Sequence, residues 1–334
     1  MTCHSRRSRS RIMKISVAMA AYKGAAYIEE QLDSIRTQSL PADEVIVVDD
    51  RSPDNTLEVL QNYQKKYPGF PLQVYQNEKN LGYRKNFREA VSHCTGDYVF
   101  LCDQDDAWLP EKIETMCGML ERDPAILVLA SSFTLMDGDG NSFEIKKRHG
   151  WSNQNLYNRV VEPDAVVRVK TEHLLIHNFC QGCAQVMRRE IADRFVETFT
   201  AELPHDWSIN LIASEKSGLY FYNHPLFRYR IHGGNALGLV PQVPLKEKIS
   251  VQYRTVDARQ NRAVMRELKR INPDICETNP EVRKEEAFME KYVRAVTHHN
   301  FLYIFLLGAN SRYQQIKSRK AWVVDVICSL FRMK

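Results

Sequence analysis

No run of about 18 apolar residues occurs in this 334-residue chain, so no segment is long enough to span a bilayer as a helix. The amino terminus is basic with no apolar segment behind it, and no signal peptide is expected. Cysteine is scattered. Of eight residues only Cys180 and Cys183 form a close pair, with no second pair to complete a zinc site and no dense framework of the kind small secreted domains carry. That pattern points to a reduced, cytoplasmic setting. Internal repeats and low-complexity tracts are also missing. The net charge of +5 is small, and its excess lies at the ends: Arg6, Arg7, Arg9, Arg11 and Lys14 at one, Lys317, Arg319, Lys320, Arg332 and Lys334 at the other. Neither end looks like a folded nucleic-acid module. Basic ends beside apolar side chains suit the anionic inner face of a membrane, the alternative being solvated tails.

What is present centres on Asp97-Tyr-Val-Phe-Leu-Cys-Asp103-Gln-Asp105-Asp106-Ala-Trp108. Tyr98 to Cys102 is apolar, too short for a helix and rich in β-branched and aromatic residues, and it reads as a buried parallel strand. Three acids sit at its carboxyl end. Ligands of open α/β sheets bind beyond the carboxyl ends of the strands, and carboxylates spaced i, i+2 there suit a hard dication that also takes phosphate oxygens. The competing reading is that Asp103, Asp105 and Asp106 cap or solvate the next helix, whose first turn is marked by Pro110 and Glu111.

Around this stretch, strands are expected at Ile15 to Ala20, Glu44 to Val48 and Leu72 to Gln76. Helices are expected at Tyr27 to Thr37, after the turn cluster Ser52 to Thr56 with Leu57, Leu60 and Tyr63 on one face, and at Tyr83 to Cys94. This alternation, through about residue 121, marks a doubly wound parallel sheet. Asp137-Gly-Asp-Gly-Asn141 predicts a hairpin, so antiparallel structure opens the second half; the segment lacks the remaining ligands of a calcium loop. Residues 145 to 178 are polar and mixed, with Trp151 and an amphipathic stretch near Val166 to Leu175. His177 to Met187 reads as a loop with Gly182 at a tight spot, running into a strand. Leu203 to Trp207 puts an acid at a helix start, and Tyr229 to Asn235 ends a strand in a Gly-rich loop. Leu245 to about Lys291 reads as charged helix broken near Asn272-Pro273 and Asn279-Pro280. Trp322, Val323, Val326, Ile327, Leu330 and Phe331 form an apolar stripe at helical spacing, suited to packing against Phe301 to Leu307 or to a membrane interface.

Several of these segments, taken in order, resemble a known family. They are Ile15-Ser-Val-Ala-Met-Ala20-Ala-Tyr22, Gln38 to Thr56 with Asp49-Asp50, Asn80-Leu-Gly82 with Asn86, and Gly96-Asp97 with Cys102 to Trp108. They are similar to family 2 glycosyltransferases of the GT-A fold. The Asp-Gln-Asp-Asp-x-Trp form, His205-Asp206-Trp207 and Tyr229-Arg230-x-His232-Gly233 further resemble bacterial rhamnosyltransferase-like enzymes of O-antigen and capsule assembly. The resemblance covers about residues 13 to 240. It implies that Asp50 accepts from a nucleotide base, with Ala20 and Tyr22 lining the base pocket and Asn86 nearby. Asp103 and Asp105 would hold Mg²⁺ or Mn²⁺ against the donor diphosphate. Asp206 matches the general base, although an N-cap role suits the same spot. His232 could reach the metal or the diphosphate, or be structural, and Arg230 could pair with phosphate. The chain departs from the pattern at Ala20, where many relatives carry Pro, at Lys23, where many carry Asn, and at Arg51, where Gly is typical. Arg51 is expected to place a charge beside the nucleotide pocket. The Cys180-x-x-Cys183 spacing has no second ligand pair to support a redox or zinc role.

The expectation is therefore an α/β protein of GT-A type, a Rossmann-like, mostly parallel sheet flanked by helices. Residues 1–12 would be a basic tail, 13–240 the glycosyltransferase domain (nucleotide-binding half 13–121, acceptor half 122–240) and 241–334 a helical extension that could touch membrane. Its activity would be inverting, metal-dependent transfer from a dTDP- or UDP-sugar, dTDP-rhamnose first, to a lipid-linked or oligosaccharide acceptor of cell-surface polysaccharide, at the inner face of the cell membrane. No nucleic-acid partner is expected. A nucleotidyltransferase making a nucleotide sugar would carry a Gly-rich phosphate loop after the first strand, where only Gly24 appears. A receiver-like signalling module would need its acidic pair at the end of that strand, which instead ends Ala-Ala-Tyr. A non-catalytic nucleotide-sugar-binding protein is the remaining alternative, against which Asp50, Asp103, Asp105 and Asp206 stand together.

Overall fold

A computed structural model describes residues 13–145, 160–175, 177–178, 180–233 and 249–332. The basic residues of 1–12, Trp151, Gly234, Asn235 and Lys334, singled out above, lie outside the described residues. Four short apolar runs become the parallel strands β1 (Ile15–Ala21), β2 (Glu44–Asp49), β3 (Leu72–Gln76) and β4 (Tyr98–Asp103), in spatial order β3-β2-β1-β4. β1, β2 and β4 are buried along nearly their whole length, as strands covered on both faces must be. The intervening helices are α1 (Ile28–Arg36), α2 (Thr56–Lys66) and α3 (Tyr83–His93). α1 buries Ile28, Leu32 and Ile35, the face its spacing predicts; α2 buries Leu60 and Tyr63 but leaves Leu57 half-buried.

The strand order turns back at β1, with β2 on one side and β4 on the other, and this opens a crevice beyond their carboxyl ends. There Ala20 of β1 pairs with Asp103 of β4, and Ala21 with Asp49 of β2. The nucleotide-side residues and the first metal candidate are thus neighbours by register.

Next come β5 (Ala107–Trp108), α4 (Lys112–Arg122), β6 (Val128–Met136), β7 (Ser142–Phe143), β8 (Val166–Arg168), α5 (Thr171–Leu174), β9 (Gln185–Arg188), α6 (Arg189–Thr198), α7 (His205–Glu215) and β10 (Leu219–Arg230). The sheet continues past β4 as β9-β6-β10-β5, with β9 antiparallel to both its neighbours and β10 parallel to β6. The predicted hairpin over 137–141 joins β6 to β7, where Asp137 Oδ1 accepts from the N–H groups of Asp139 and Asn141. β10 carries Pro225, and its register with β6 breaks on both sides of that residue, as a strand proline without a ladder donor dictates. The acid cluster does not cap α4, which starts after Glu111 with no side-chain cap bond.

The carboxyl-terminal region is helical: α8 (Val251–Arg254), α9 (Val256–Ile271), α10 (Ile275–Thr278), α11 (Pro280–Thr297), α12 (Phe301–Leu306), α13 (Ser311–Ile316) and α14 (Arg319–Leu330). The breaks fall at the two Asn-Pro pairs, and the Asn279 side chain caps α11 by accepting from Glu281 and Val282 N–H. Val264, Met265, Leu268 and Ile271 of α9 join the main core, while Phe288, Tyr292, Val296, Ile304, Leu307 and Tyr313 build a second, smaller one. α14 divides the predicted apolar stripe. Trp322 and Val326 pack on the second core, but Val323, Ile327 and Leu330 face solvent while Asp325, Cys328 and Ser329 are buried. The cause is polar: Arg254 Nε donates to Asp325 Oδ1 at 2.6 Å, and the Tyr292 and Tyr313 hydroxyls donate to Oδ2 at 2.9 and 2.7 Å. Among the described residues no helix is long and apolar enough to cross a membrane.

Candidate active site

A cavity of about 350 Å³ lies over the crevice, lined by Ala20, Ala21, Tyr22, Asp50, Gly82, Tyr83, Asn86, Phe87, Asp103, Gln104, Asp105, Gly182, Cys183, His205, Asp206 and Tyr229, among others. It gathers most of the residues that the sequence singles out.

Where the resemblance puts the nucleotide base, Asp50 is buried. Its Oδ1 accepts from Asn77 Nδ2 (2.7 Å) and Leu81 N–H (2.8 Å), and its Oδ2 from Gly82 N–H (2.8 Å). A carboxylate has about four acceptor positions, so roughly one remains on Oδ2. Asn86 reaches the cavity wall but spends its amide on structure, donating to the carbonyl of Val48 (2.9 Å) and accepting from Asn77 (2.9 Å). Arg51 corrects an expectation: its guanidinium donates to Gln76 Oε1 at 3.0 Å and is not part of the cavity lining. Its φ of +57° is the left-handed conformation that favours glycine, which accounts physically for Gly being typical there.

The acidic motif splits into two roles. Asp103 and Asp105 line the cavity, whereas Asp106 is fully buried and accepts from Arg230 N–H at 3.0 Å. Burial, followed by the charge on Asp105, pushes the Asp103 carboxyl up to about 7. Two carboxylates crowded together at a strand end, beside a buried Asp106 oxygen with no hydrogen-bond partner, fit a divalent cation held by hard oxygen donors. Cys183 Sγ lies within 4.8 Å of ligand atoms of Asp103 and Asp106, but burial pushes its thiol well up, and a protonated sulfur is a poor donor to a hard ion. Beneath the cluster sits Lys112, fully buried, donating to the Cys183 carbonyl at 2.7 Å and lying 4.2 Å from the Trp108 ring centroid. Burial lowers its pKa to about 8.

His232 approaches the motif from behind: its Nε2 is 2.9 Å from Asp105 Oδ2, and its ring stacks obliquely on Tyr27 at 4.7 Å. It is not part of the cavity lining, and it meets the motif at Asp105. Arg230 does not serve phosphate. Its buried guanidinium donates to the carbonyls of Asp105 (2.7 Å) and Gly138 (3.2 Å) and pairs with Glu30, binding three segments to the end of β10.

Opposite the metal candidates, Asp206 sits in the first turn of α7, where the helix dipole favours an acid; the N-cap itself is Pro204. Its oxygens accept from Trp207 N–H (2.8 Å) and Gly182 N–H (3.2 Å). Burial outweighs those bonds and raises its pKa to about 6. Gly182 is required by close approach, since a Cβ there would lie 2.6 Å from His205 Nε2. His205 stacks on Phe87 with centroids 3.7 Å apart, and burial pushes its pKa down to about 3, so it stays neutral. It shapes the wall that carries Asp206.

Sequence reasoning passed over Gln104. Its side-chain amide accepts from Tyr22 N–H and donates to the Tyr22 carbonyl, both at 2.8 Å, while Gly24 leaves it room. Only its position between two acids pointed to it. Glu30, the partner of Arg228 and Arg230, gave no signal beyond an exposed helix face. Cys180 and Cys183 are both buried free thiols, and of the two only Cys183 lines the cavity.

Fold and site together define a GT-A-type α/β protein with a carboxylate pair at the strand ends. The chain belongs to glycosyl transferase family 2, whose model matches residues 16–195. EpsE of Bacillus subtilis is 31% identical over 127 residues, covering 38% of this chain and 45% of that one. The chain spans about half the length of the curated relatives it matches. Among solved structures, S. aureus TarS 1-349 in complex with UDP-GlcNAc superposes with a TM-score of 0.54 at 16% identity, covering 94% of this chain and 89% of that one. The mannosyltransferase PcManGT from Pyrobaculum calidifontis, in complex with GDP-Man and Mn²⁺, gives 0.50 at 17%, covering 97% and 89%. At such identities the likeness is one of fold.

Proposed function

We propose that the chain is an inverting, metal-dependent glycosyltransferase that moves a sugar from a nucleotide donor to a saccharide acceptor of cell-surface polysaccharide. One observation carries this reading: Asp103, Asp105 and Asp206 open onto the same cavity as Ala20, Tyr22 and Asp50. Asp103 and Asp105 would hold Mg²⁺ or Mn²⁺, and PcManGT, of like fold, was solved with Mn²⁺. Such an ion neutralises the charge that grows on the departing diphosphate, by several kcal/mol. The remaining acceptor position on Asp50 Oδ2 takes an N–H of the base, and the exposed Tyr22 ring covers it.

Asp206 takes the proton of the acceptor hydroxyl as the sugar centre is attacked. A carboxyl poised at about 6 is ionised at neutral pH yet basic enough to accept a proton, and such a base is worth roughly 10²–10⁴ in rate. His232 orients Asp105 through their direct bond. dTDP-rhamnose is the first-choice donor, by resemblance of the motifs at 103–108, 205–207 and 229–233, with UDP-hexoses and N-acetylhexosamines next. The acceptor is lipid-linked or oligosaccharide, handled by residues 122–240, and the protein works in the cytoplasm, peripheral to the membrane.

The test is release of nucleoside diphosphate from a panel of dTDP-, UDP- and GDP-sugars with Mg²⁺ or Mn²⁺, in the presence of membrane extract as acceptor source. Turnover of one donor that needs metal, Asp105 and Asp206 supports the reading and names the donor. Metal-dependent binding of a donor without turnover overturns it in favour of a binding protein.

A further inference from the structure

The helices that surround the second core also carry large apolar side chains on their outer faces. Among the described residues, eight of the thirteen exposed large apolar side chains fall between Phe301 and Phe331. Leu302 and Leu306 of α12 are 66% and 61% exposed, and Phe331, just past α14, is 70% exposed. The two helices are neighbours: Trp322 Nε1 donates to the Ile304 carbonyl at 3.0 Å, and the Phe305 and Trp322 rings lie 5.9 Å apart. The two helices thus carry their exposed residues side by side, Val323, Ile327 and Leu330 on one and Leu302 and Leu306 on the other.

Asp325 anchors α14 with this face outward. This carboxylate is 2% exposed and is held from three sides by Arg254, Tyr292 and Tyr313. A buried ion pair of this kind fixes orientation more than it adds stability, and here the orientation it fixes is apolar face out.

Charge identifies the occupant. From His298 to Lys334 the sequence has six Lys and Arg residues and a single acid, Asp325, which is the buried one. Among the described residues Arg319, Lys320 and Arg332 are exposed around the apolar surface. Two copies meeting through this face would bring like charges together, whereas an anionic lipid surface offers both phosphate charge and an apolar layer beneath it.

We propose that the outer face of α12 and α14, with Phe331, is a docking surface for an anionic phospholipid bilayer, on which Leu302, Leu306, Ile327 and Phe331 enter the interface while Arg319, Lys320 and Arg332 meet headgroups. This deepens the peripheral placement given above and names the surface that serves it. It is read without turnover, so its failure and failure of the enzymatic reading are distinguishable.

The experiment is co-flotation of the full chain with phosphatidylcholine vesicles containing about 30% phosphatidylglycerol, against phosphatidylcholine alone. Binding to the anionic vesicles is expected, weakened several-fold as salt rises from about 0.1 M to about 0.5 M. Replacing Leu302, Leu306, Ile327 and Phe331 by Ser lowers partitioning by at least about a hundredfold, because exposed side chains of this size lose their transfer energy. The double change Arg319→Glu and Lys320→Glu lowers it by at least about 30-fold, from about fivefold per lost cation. Thermal unfolding of both variants shows them folded, since every changed residue is solvent-facing. Absence of binding to anionic vesicles overturns the proposal, as does unchanged binding in either folded variant. So does a dimer, seen by sedimentation velocity, that the Ser variant dissolves, since the surface then belongs to a second copy.

Discussion

Replacing Asp206 by Asn separates chemistry from folding at one residue. The carboxyl is raised from 3.8 to about 6 by burial, so it is roughly 90% ionised at pH 7 and 10% at pH 5. Turnover at saturating metal and donor should therefore climb about tenfold from pH 5 to a plateau above pH 7. Stability runs the other way. The native state binds this proton more tightly than the unfolded chain, so the contribution is fully present below pH 3.8 and is lost as pH rises through 6. At pH 8 the buried charge thus costs about 3 kcal/mol relative to acid, from about 2.2 pKa units at 1.36 kcal/mol each. Asn removes that charge but keeps one acceptor oxygen for two N–H donors, those of Trp207 and Gly182, and the orphaned donor costs about 1–3 kcal/mol. The variant is expected to lose 10²–10⁴ in nucleoside diphosphate release while its denaturant midpoint at pH 8 is no lower than that of the parent. Retention of more than about a tenth of the turnover, or a wild-type profile flat between pH 5 and 7, would refute a base role for Asp206.

The surrounding residues yield further expectations. Asp105→Ala removes one of the two carboxylates proposed to hold the cation and should cost roughly a thousandfold in metal-dependent turnover, whereas His232→Ala should raise the Mn²⁺ needed for half-maximal turnover by about 10–100-fold with kcat at saturating metal little changed. Gly182→Ala drives a methyl to within 2.6 Å of His205 Nε2, displacing the wall behind Asp206; about 1–3 kcal/mol of stability and at least tenfold of turnover should be lost, read by denaturation and initial rates. Asp325→Ala leaves Arg254 charged and buried, and the thermal midpoint should fall by an amount equivalent to about 3–5 kcal/mol. Arg51→Gly relieves a φ of +57° and should stabilise by about 1 kcal/mol without changing donor preference, measured by chemical denaturation and the donor panel.

Those predictions trace where the sequence is legible. β1, β2 and β4 could be placed because a strand buried on both faces must be continuously apolar, and the acids at their ends stand out by contrast. The later strands were harder. β10 is half polar, interrupted by Pro225, and pairs parallel to β6 across some ninety residues, which no local period reveals. Side-chain direction was the second limit. Arg230 and Asn86 sit at positions that the resemblance assigns to a nucleotide site, yet each donates to buried carbonyls. Arg51 follows from a backbone angle, and residue type alone does not report φ. The apolar stripe of α14 reads the same whether it faces in or out, and the deciding partner, Arg254, is 71 residues away.

The amide of Gln104 stands in for a missing peptide group. By accepting from the N–H and donating to the carbonyl of Tyr22, it adds one rung to the ladder between β1 and β4 just where both strands have ended. The residues that follow β1 at Tyr22 and the end of β4 that carries Asp103 and Asp105 are thereby clamped edge to edge. Glutamate at 104 would keep the acceptor and lose the donor, converting the clamp into a hinge pinned on one side.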